Sequence, residues 1–441
     1  MNPRKVVLDI LRRFEEHSRP FEAVVDRTLN RSGIDRRDRR FVYELVHGIL
    51  RQRIRLRYVI QHFLSDPQLA RNEDLVRVLE LGLYQILYLD RVPNHAAVSE
   101  SVELAKRNPR TRRQAGVVNA VLRAAINARG MIPLPDPKKN LTGRLAVEYA
   151  HPQWLVERWL SKYGLSATRT LLQYNNRLPT TFLRRRLRGM GRQRFEADTR
   201  GICDRVGGYG NLYYRLARKG MSPDELRLFQ LGECTVQSPS AGWVVAMLSV
   251  QPGERIVDVC SAPGGKTTLM AELCGHEGSV CACDNSPWRV RRVVDGARRM
   301  QLDGIYPVVC DGRFPPFAGY FDKVLLDAPC TGTGVLQRHP DARTTRTADD
   351  IGRIARVQEE LLEAAVDLVG HGGTIVYATC SLEPEENEAQ VVRFLERHKD
   401  FTLEKPPRDI PRQYVDLDGH LRITPFEHDM DGAFAALLRR R

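Results

Sequence analysis

The chain has 441 residues, with 68 Lys and Arg against 54 Asp and Glu, a formal net charge of +14. That length predicts two or three domains, each with its own core. The basic balance points to polyanions, either nucleic acid or an anionic membrane surface. No long apolar run, signal-peptide pattern or lipidation motif is present, so a membrane span is excluded and secretion is not expected. Nine cysteines without a CxxC pair fit a reducing cytosol, most of them as small buried residues. Cys281 and Cys283 lack His partners at zinc spacing, and no metal site is expected.

Residues 1–128 read as all helix. Val7, Ile10, Leu11 and Phe14 recur on one helical face, as do Leu75, Val78, Leu79, Leu83, Ile86 and Leu87. Between the stripes lie three basic clusters: Arg36, Arg37, Arg39 and Arg40; Arg51, Arg53, Arg55 and Arg57; and Lys106, Arg107, Arg110, Arg112 and Arg113. Any one of these arginines reads as solvated helix surface, but three clusters of one sign in one small domain point to an RNA-binding face. The segments RRDRRFVYELVHGILRQR, LELGLYQILYLDRVPNHAAVSESVELAK and GVVNAVLR resemble the helical bundle of the NusB antiterminator family. That resemblance implies binding to RNA and to a protein partner.

Residues 129–140, RGMIPLPDPKKN, alternate three prolines with other residues and read as a linker. A second region, 141–235, opens with a helical stretch from His151 and continues into 181–200. There Arg184, Arg185, Arg186, Arg188, Arg192, Arg194 and Arg200 face only Glu196 and Asp198. Strand and loop are both open for this stretch; its one-sided charge favours contact with a phosphate backbone over plain solvated surface.

From about residue 235 the period changes, and 236–441 reads as one catalytic domain. Apolar β-rich runs near 256–260, 279–283, 305–310, 321–326 and 373–378, mostly separated by helical patterns, predict a parallel, doubly wound sheet. The runs end in Cys260, Asp284, Asp311, Asp327 and Thr379-Cys380, so one sheet edge collects five polar or reactive ends. The first run leads into Cys260-Ser261-Ala262-Pro263-Gly264-Gly265-Lys266, a strand–turn–helix that offers backbone N–H groups to a nucleotide-like ligand. It is not a phosphate-binding P-loop, because Cys260 stands where that motif needs glycine, and it is not GxGxxG. Asp284 lies 26 positions after Asp258, where an acid accepts hydrogen bonds from ribose hydroxyls; Asp311 is placed to take an adenine amine. A strand-end turn is the bland alternative for either acid alone. Together with the turn they describe an adenosine pocket without a triphosphate cradle, which suits S-adenosylmethionine better than ATP.

Two cysteine motifs follow, Asp327-Ala328-Pro329-Cys330-Thr331-Gly332-Thr333-Gly334 and Ala378-Thr379-Cys380-Ser381. Two cysteines at strand ends beside a methyl-donor pocket point to covalent catalysis on a base. Carbon 5 of cytosine becomes nucleophilic once a thiolate has added to carbon 6. Spacing does not rank the two thiols. Glu383-Pro384-Glu385-Glu386 reads as an ordinary helix start rather than an acid/base pair.

The motifs CSAPGGKT, DAPCTGTG, RHPD (Arg338 to Asp341) and YATCSLEPEENE resemble those of the Nop2/Sun RNA cytosine-5 methyltransferases, over the chain from about residue 150 onward. With the NusB-like front, the chain resembles the bacterial members that act on small-subunit ribosomal RNA. The resemblance implies an all-α NusB-like bundle followed by an α/β Rossmann-like class I methyltransferase domain. It implies S-adenosylmethionine held by Cys260 to Lys266, Asp284, Asp311 and Asp327, and no metal. Cys380 becomes the nucleophile and Cys330 the residue assisting release, with Asp327 also holding the pyrimidine ring through N3 or N4. Small-subunit rRNA is the implied partner of a monomeric, cytoplasmic enzyme with no membrane attachment. The chain departs from the family pattern at Ser261, at Thr331, at Gln237 to Ala241, at Ala342 to Thr345 and at Leu183 to Arg186. The same chemistry on tRNA, and a non-catalytic assembly factor, are the competing functions.

Overall fold

The computed structural model describes residues 2–16, 20–128, 131–218 and 221–441. The chain divides into two compact units, the first Met1–Asn176 with His339–Thr347, the second Arg177–Arg338 with Ala348–Arg441. Residues 129 and 130, which open the stretch read as a linker, lie outside the described residues.

The first unit contains α1 (Pro3–Glu16), α2 (Phe21–Ser32), α3 (Arg36–Phe63), α4 (Glu73–Tyr88), α5 (Asn94–Arg107), α6 (Ala115–Asn127), α7 (Leu141–Glu148) and α8 (Gln153–Asn176). Helices α3 and α4 start where a short polar side chain satisfies a free N–H group: Asp35 accepts from Asp38 N, and Asn72 from Leu75 N; α2, α5 and α6 start without such a cap. The predicted stripe of α1 is buried at Val7, Ile10 and Leu11, and that of α4 at Leu75, Val78, Leu79 and Leu83. At Gly48 in α3, a Cβ would fall 2.0 Å from the Tyr84 ring, so only glycine admits this approach of α4.

The second arginine cluster corrects the expectation of an RNA-facing surface. Arg53 is buried, and its Nε and Nη2 both donate at 2.9 Å to the carboxylate of Glu80, which is fully buried. Arg57 donates to Glu80 at 2.8 Å and to Glu73 at 2.6 Å, and Arg55 donates to the Glu148 carbonyl at 3.2 Å. Arg51 is buried as well. Arg53 and Arg57, four apart, share one face of α3, and that face meets the acids of α4. Burial alone would raise the Glu80 pKa; the two guanidiniums outweigh it and hold the carboxyl below its ordinary range.

The returning segment His339–Thr347 is anchored in this unit by Arg343, a fully buried side chain that donates to the carbonyls of Arg51 (2.9 Å) and Asn175 (2.5 Å) and to Asn176 Oδ1 (2.7 Å). Burial, with Arg51 nearby, pushes its pKa well down.

The second unit begins with a small antiparallel sheet, order β2-β3-β1-β4, from β1 (Phe182–Arg185), β2 (Cys203–Gly207), β3 (Tyr213–Leu216) and β4 (Cys234–Val236), with α9 (Arg192–Asp198) between β1 and β2. The arginine-rich stretch is therefore strand, turn and helix. Its Arg184 does not reach phosphate: the side chain is fully buried, ion-paired with Glu272 and donating to Thr268 Oγ1 at 3.1 Å. Arg188, Arg192, Arg194 and Arg200 remain exposed.

The large sheet has the order β10-β12-β9-β8-β5-β6-β7, with β11 pairing β12. Its parallel part is β5 (Arg255–Asp258), β6 (Ser279–Asp284), β7 (Ile305–Val309), β8 (Phe321–Asp327) and β9 (Val369–Thr379), the five predicted runs. Alternating residues split between two cores. Ile256, Val280, Leu325 and Val376 pack with α10 (Pro239–Met247) and α11 (Gly265–Cys274), and Val257, Val324, Leu326, Ile375 and Tyr377 form the other core. Residues of α13 (Ala348–Val366) and α14 (Glu388–Arg397) complete that second layer, while α12 (Pro287–Arg299) follows β6. The antiparallel edge, β10 (Phe401–Glu404), β11 (Leu421–Ile423) and β12 (Ala433–Arg440), was not among the predicted runs. No helix of the described residues is long and apolar enough to cross a membrane.

Replacing Glu80 by Ala leaves two guanidiniums without their buried partner and is expected to cost about 3–5 kcal/mol of stability, whereas Arg37→Ala at an exposed position stays within about 0.5 kcal/mol. Chemical denaturation of the two variants beside the unsubstituted chain checks this. A Glu80→Ala cost below about 1 kcal/mol would show that the network carries no stability.

Candidate active site

The carboxyl end of β5 opens into the turn Cys260 to Gly264, and α11 begins at Gly265. The turn is tied to the next strand, Ser261 N donating to the Cys283 carbonyl at 2.8 Å, and to itself, Gly264 N donating to the Ser261 carbonyl at 2.8 Å. Gly264 has φ +102°, and a Cβ there would lie 3.2 Å from Cα of Val293 in α12, so both conformation and space call for glycine. Arg289 Nη2 donates to the Ala262 carbonyl at 2.7 Å, which fixes the far side of the turn.

Two cavities flank this turn and share Cys260. One is lined by Val259, Asp284, Asn285, Asp311, Pro329 and Leu361, and the other by Gln237, Ser238, Asp258, Ser261, Lys266 and Asp327. In the first, Asp284 is buried and accepts from Ser286 N at 3.1 Å; Asp311 is held by Arg313, whose Nη2 donates at 2.7 Å and keeps the carboxyl below its usual range. The second cavity holds three buried polar atoms without a partner among the described residues: Asp258 Oδ1, Ser261 Oγ and Gln237 Nε2. Gln237 is oriented by Tyr213, whose hydroxyl donates to its Oε1 at 2.9 Å.

The two cysteines arrive from neighbouring strands. β8 and β9 are parallel with Asp327 opposite Ala378, so the loops beyond them leave side by side. Cys330 Sγ and Cys380 Sγ stand 3.0 Å apart. Ala328 N donates to the Ala378 carbonyl at 2.8 Å and Gly334 N to the Cys380 carbonyl at 3.0 Å, pinning one loop to the other. Lys266 Nζ donates to Asp327 Oδ2 at 2.6 Å. The structure thus gathers Cys330, Cys380, Asp327 and the Cys260–Lys266 turn at one edge, with Asp284 and Asp311 across the turn.

The charges around the thiols differ in sign. The hydrogen bond with Cys330, burial and the Asp327 carboxylate push the Cys380 thiol up, and Lys266 works against them. Burial would lower Lys266, but Asp327 beside it keeps the ammonium above its usual range. Sequence reasoning used Asp258 only as a spacing mark and did not see Gln237 or Arg289 as part of the site. Both acquire their place from partners distant in sequence.

Burial pushes Asp258 from the usual 3.8 up to about 7, against the hydrogen bond that Thr267 Oγ1 donates at 2.7 Å. Between those values the folded chain holds a proton that the unfolded chain has lost, so this group's contribution to stability falls as pH rises through the window. Asp258→Asn cannot titrate. The unsubstituted chain is expected to lose thermal stability relative to that variant between about pH 4 and about pH 7; a constant difference in midpoint across that range would refute the assignment.

The family described as 16S rRNA methyltransferase RsmB/F matches residues 245–439, and the NusB family matches residues 1–127. A probable ribosomal RNA small subunit methyltransferase B of Synechocystis sp. is 35% identical, with 100% of both chains covered. The ribosomal RNA small subunit methyltransferase B of Yersinia pseudotuberculosis is 37% identical over 84% of this chain and 85% of that one. Among solved structures, PH0851 superposes with a TM-score of 0.82 at 25% identity, covering 100% of this chain and 99% of that one. With relatives more than 30% identical along the whole chain, and the RsmB/F model matching its C-terminal part, the chain belongs to the RsmB/F family of 16S rRNA methyltransferases.

Proposed function

We propose that the chain methylates carbon 5 of a cytosine in small-subunit rRNA, with S-adenosylmethionine as methyl donor, Cys380 as nucleophile and Cys330 as the residue that assists release. The observation that carries this reading is the pair of thiols 3.0 Å apart at the ends of adjacent strands, beside the Lys266–Asp327 pair and the glycine turn. A single thiol suffices for addition to a base. A second one within contact distance suits a reaction that must also undo the addition.

The residues fit the donor. Its adenosine part matches the first cavity, with Asp284 for the ribose hydroxyls, Asp311 for the adenine amine, and Val259, Pro329 and Leu361 for the ring faces. The unpartnered Asp258 Oδ1 and Gln237 Nε2 of the second cavity are an acceptor and a donor, as an amino-acid ammonium and carboxylate require. When bound, the donor supplies an electrophilic methyl carbon.

The chain's own groups do the rest. Cys380 Sγ, once deprotonated, bonds to carbon 6, and the electrons of the 5,6 double bond shift so that carbon 5 becomes nucleophilic. Lys266 favours the thiolate form. In this reading Asp327 holds the pyrimidine ring through N3 or N4, and its position at the end of β8, three residues before Cys330, supports that role. After carbon 5 takes the methyl group it loses its proton to a base. The electrons of that C–H bond re-form the double bond, and the sulfur–carbon 6 bond breaks to release the thiolate. Carbons 5 and 6 are inaccessible in a stack, so the target base must be turned out of it. Exposed Arg188, Arg192 and Arg200 are candidates for holding the flanking phosphates, and rRNA as substrate places the reaction in the cytoplasm.

Labelled methyl from S-adenosylmethionine is expected in protein-free small-subunit rRNA and not in tRNA. Cys380→Ser abolishes the transfer, and Cys330→Ser accumulates a protein–RNA adduct that survives denaturation. Label in tRNA would overturn the substrate; full activity of Cys380→Ser would overturn the nucleophile. No label in rRNA, tRNA or a pre-ribosomal particle would favour the non-catalytic assembly factor. Because burial and Cys330 raise the Cys380 thiol, the rate should climb as pH rises above neutral. Removing its ammonium neighbour in Lys266→Met should move that limb to higher pH, and an unchanged pH–rate profile would exclude this role for Lys266.

A further inference from the structure

The side chain of Glu386 lies between the two cysteine loops. It follows Pro384 in a single turn of 3-10 helix and is fully buried. Its carboxylate collects donors from both loops. From the loop of Cys330 come Thr331 N, at 2.8 Å, and the Thr331 hydroxyl. From the loop of Cys380 comes Ser381 Oγ, at 2.5 Å. Gln358 Nε2 in α13 donates to the same carboxylate at 3.1 Å and to the Pro329 carbonyl at 2.9 Å. Each residue bonded from the loops directly follows one of the cysteines in sequence.

Four N–H or O–H groups converge on two oxygens, an arrangement that suits an ionised carboxylate, which only accepts. Burial raises the pKa of this carboxyl, and the hydrogen bonds from Ser381, Thr331 and Gln358 work against that rise. The partners tighten the arrangement further. Thr333 Oγ1 accepts from Leu382 N at 2.8 Å, Ser381 Oγ accepts from Glu383 N at 3.1 Å, and Asn387 Nδ2 donates to the Ser381 carbonyl at 2.9 Å. The parallel register brings the loops to one edge; it does not fix the last ångströms between sulfurs that lie two and three residues beyond the paired positions.

We propose that Glu386 is a positioning residue for the reaction, a buried carboxylate that clamps the loops of Cys330 and Cys380 and so sets the spacing of the two thiols. The inference rests on the proposed roles of the two cysteines. Glu386 lines neither cavity beside the glycine turn, and the turn is built by other residues, so its loss should impair thiol chemistry while leaving donor binding intact.

The test compares Glu386→Gln, which keeps the volume but turns one acceptor into a donor, and Ser381→Ala, which removes the donor of one loop only. Each is made in the full chain and again with Cys330→Ser. Three quantities are read: the dissociation constant for S-adenosylmethionine, the yield of denaturation-resistant adduct with small-subunit rRNA in the Cys330→Ser background, and capture of phenylarsine oxide. That reagent condenses with two adjacent thiols with loss of water, and only the capture that Cys330→Ser abolishes is counted. Glu386→Gln is expected to lower adduct yield and arsenical capture at least tenfold, Ser381→Ala a few-fold, with donor affinity unchanged within threefold. Adduct and capture within twofold of the parent in both variants would overturn the proposal. If Glu386→Gln does not fold, Ser381→Ala decides by the same criterion. If Cys330→Ser alone gives no adduct, the cysteine roles have failed instead, and arsenical capture, which needs no RNA, still judges the clamp.

Discussion

The pairing of β8 with β9 is the constraint on which the site depends. Two parallel strands side by side, with Asp327 opposite Ala378, send their following loops out at the same edge and in the same direction. Everything reactive then has a fixed neighbour: Asp327 reaches Lys266 of the glycine turn, and Cys330 meets Cys380. Strand β5 lies next to β8 in the sheet, which places the turn beside the cysteine loops rather than across the molecule. Strands buried on both faces hold this register firmly, because a slip by one residue would exchange Val324, Leu326, Ile375 and Tyr377 with Leu325 and Val376 between two separately packed cores.

The polar core of the second unit follows a consistent rule. Buried charged groups are paired, as Arg184 is with Glu272, or are surrounded by donors, as Glu386 is. Unpartnered buried polar atoms are scattered through the described residues, Arg184 Nε and Gln358 Oε1 among them, but three fall together. Asp258 Oδ1, Ser261 Oγ and Gln237 Nε2 are buried without partners, and all three belong to residues lining one cavity at the sheet edge. Folding leaves such atoms unmet at a cost of about 1–3 kcal/mol each, which a bound molecule carrying matching groups would recover.

Much of this was legible in the residue pattern. The β-branched runs ending in Cys260, Asp284, Asp311, Asp327 and Thr379 located the parallel strands, because a strand covered on both faces, as β5 and β8 largely are, writes itself as a short continuous apolar run; the exposed edge strand β7 was found by the same pattern without that burial. The antiparallel edge was not seen: β10 and β11 are short, and the apolar run of β12 lies far in sequence from the motifs that drew attention, although Phe434 in it pairs with Thr379. Charge was the weaker guide. Arg53, Arg57 and Arg184 counted toward a basic surface, yet each is held by an acid supplied from another element, and a cluster of like charges does not reveal where its counter-charges lie. Glu386 failed for the same reason in reverse. Reading Pro384 as the first residue of a helical turn was locally correct, while the donors at Thr331 and Ser381 that give the acid its place come from a separate loop and from across a turn.

Arg343 has a consequence for how the chain can be divided. The nine residues that carry it are embedded in the sequence of the catalytic unit but belong to the helical one, so the chain crosses between units three times rather than once. A helical unit cut from the gene as a simple N-terminal piece would keep the carbonyls of Arg51 and Asn175 and the amide of Asn176 but lack the guanidinium that joins them. A fusion that replaces the second unit along with everything after residue 176 also replaces that short segment, and keeps the helical unit's bonds only if the new partner carries an arginine at the same place.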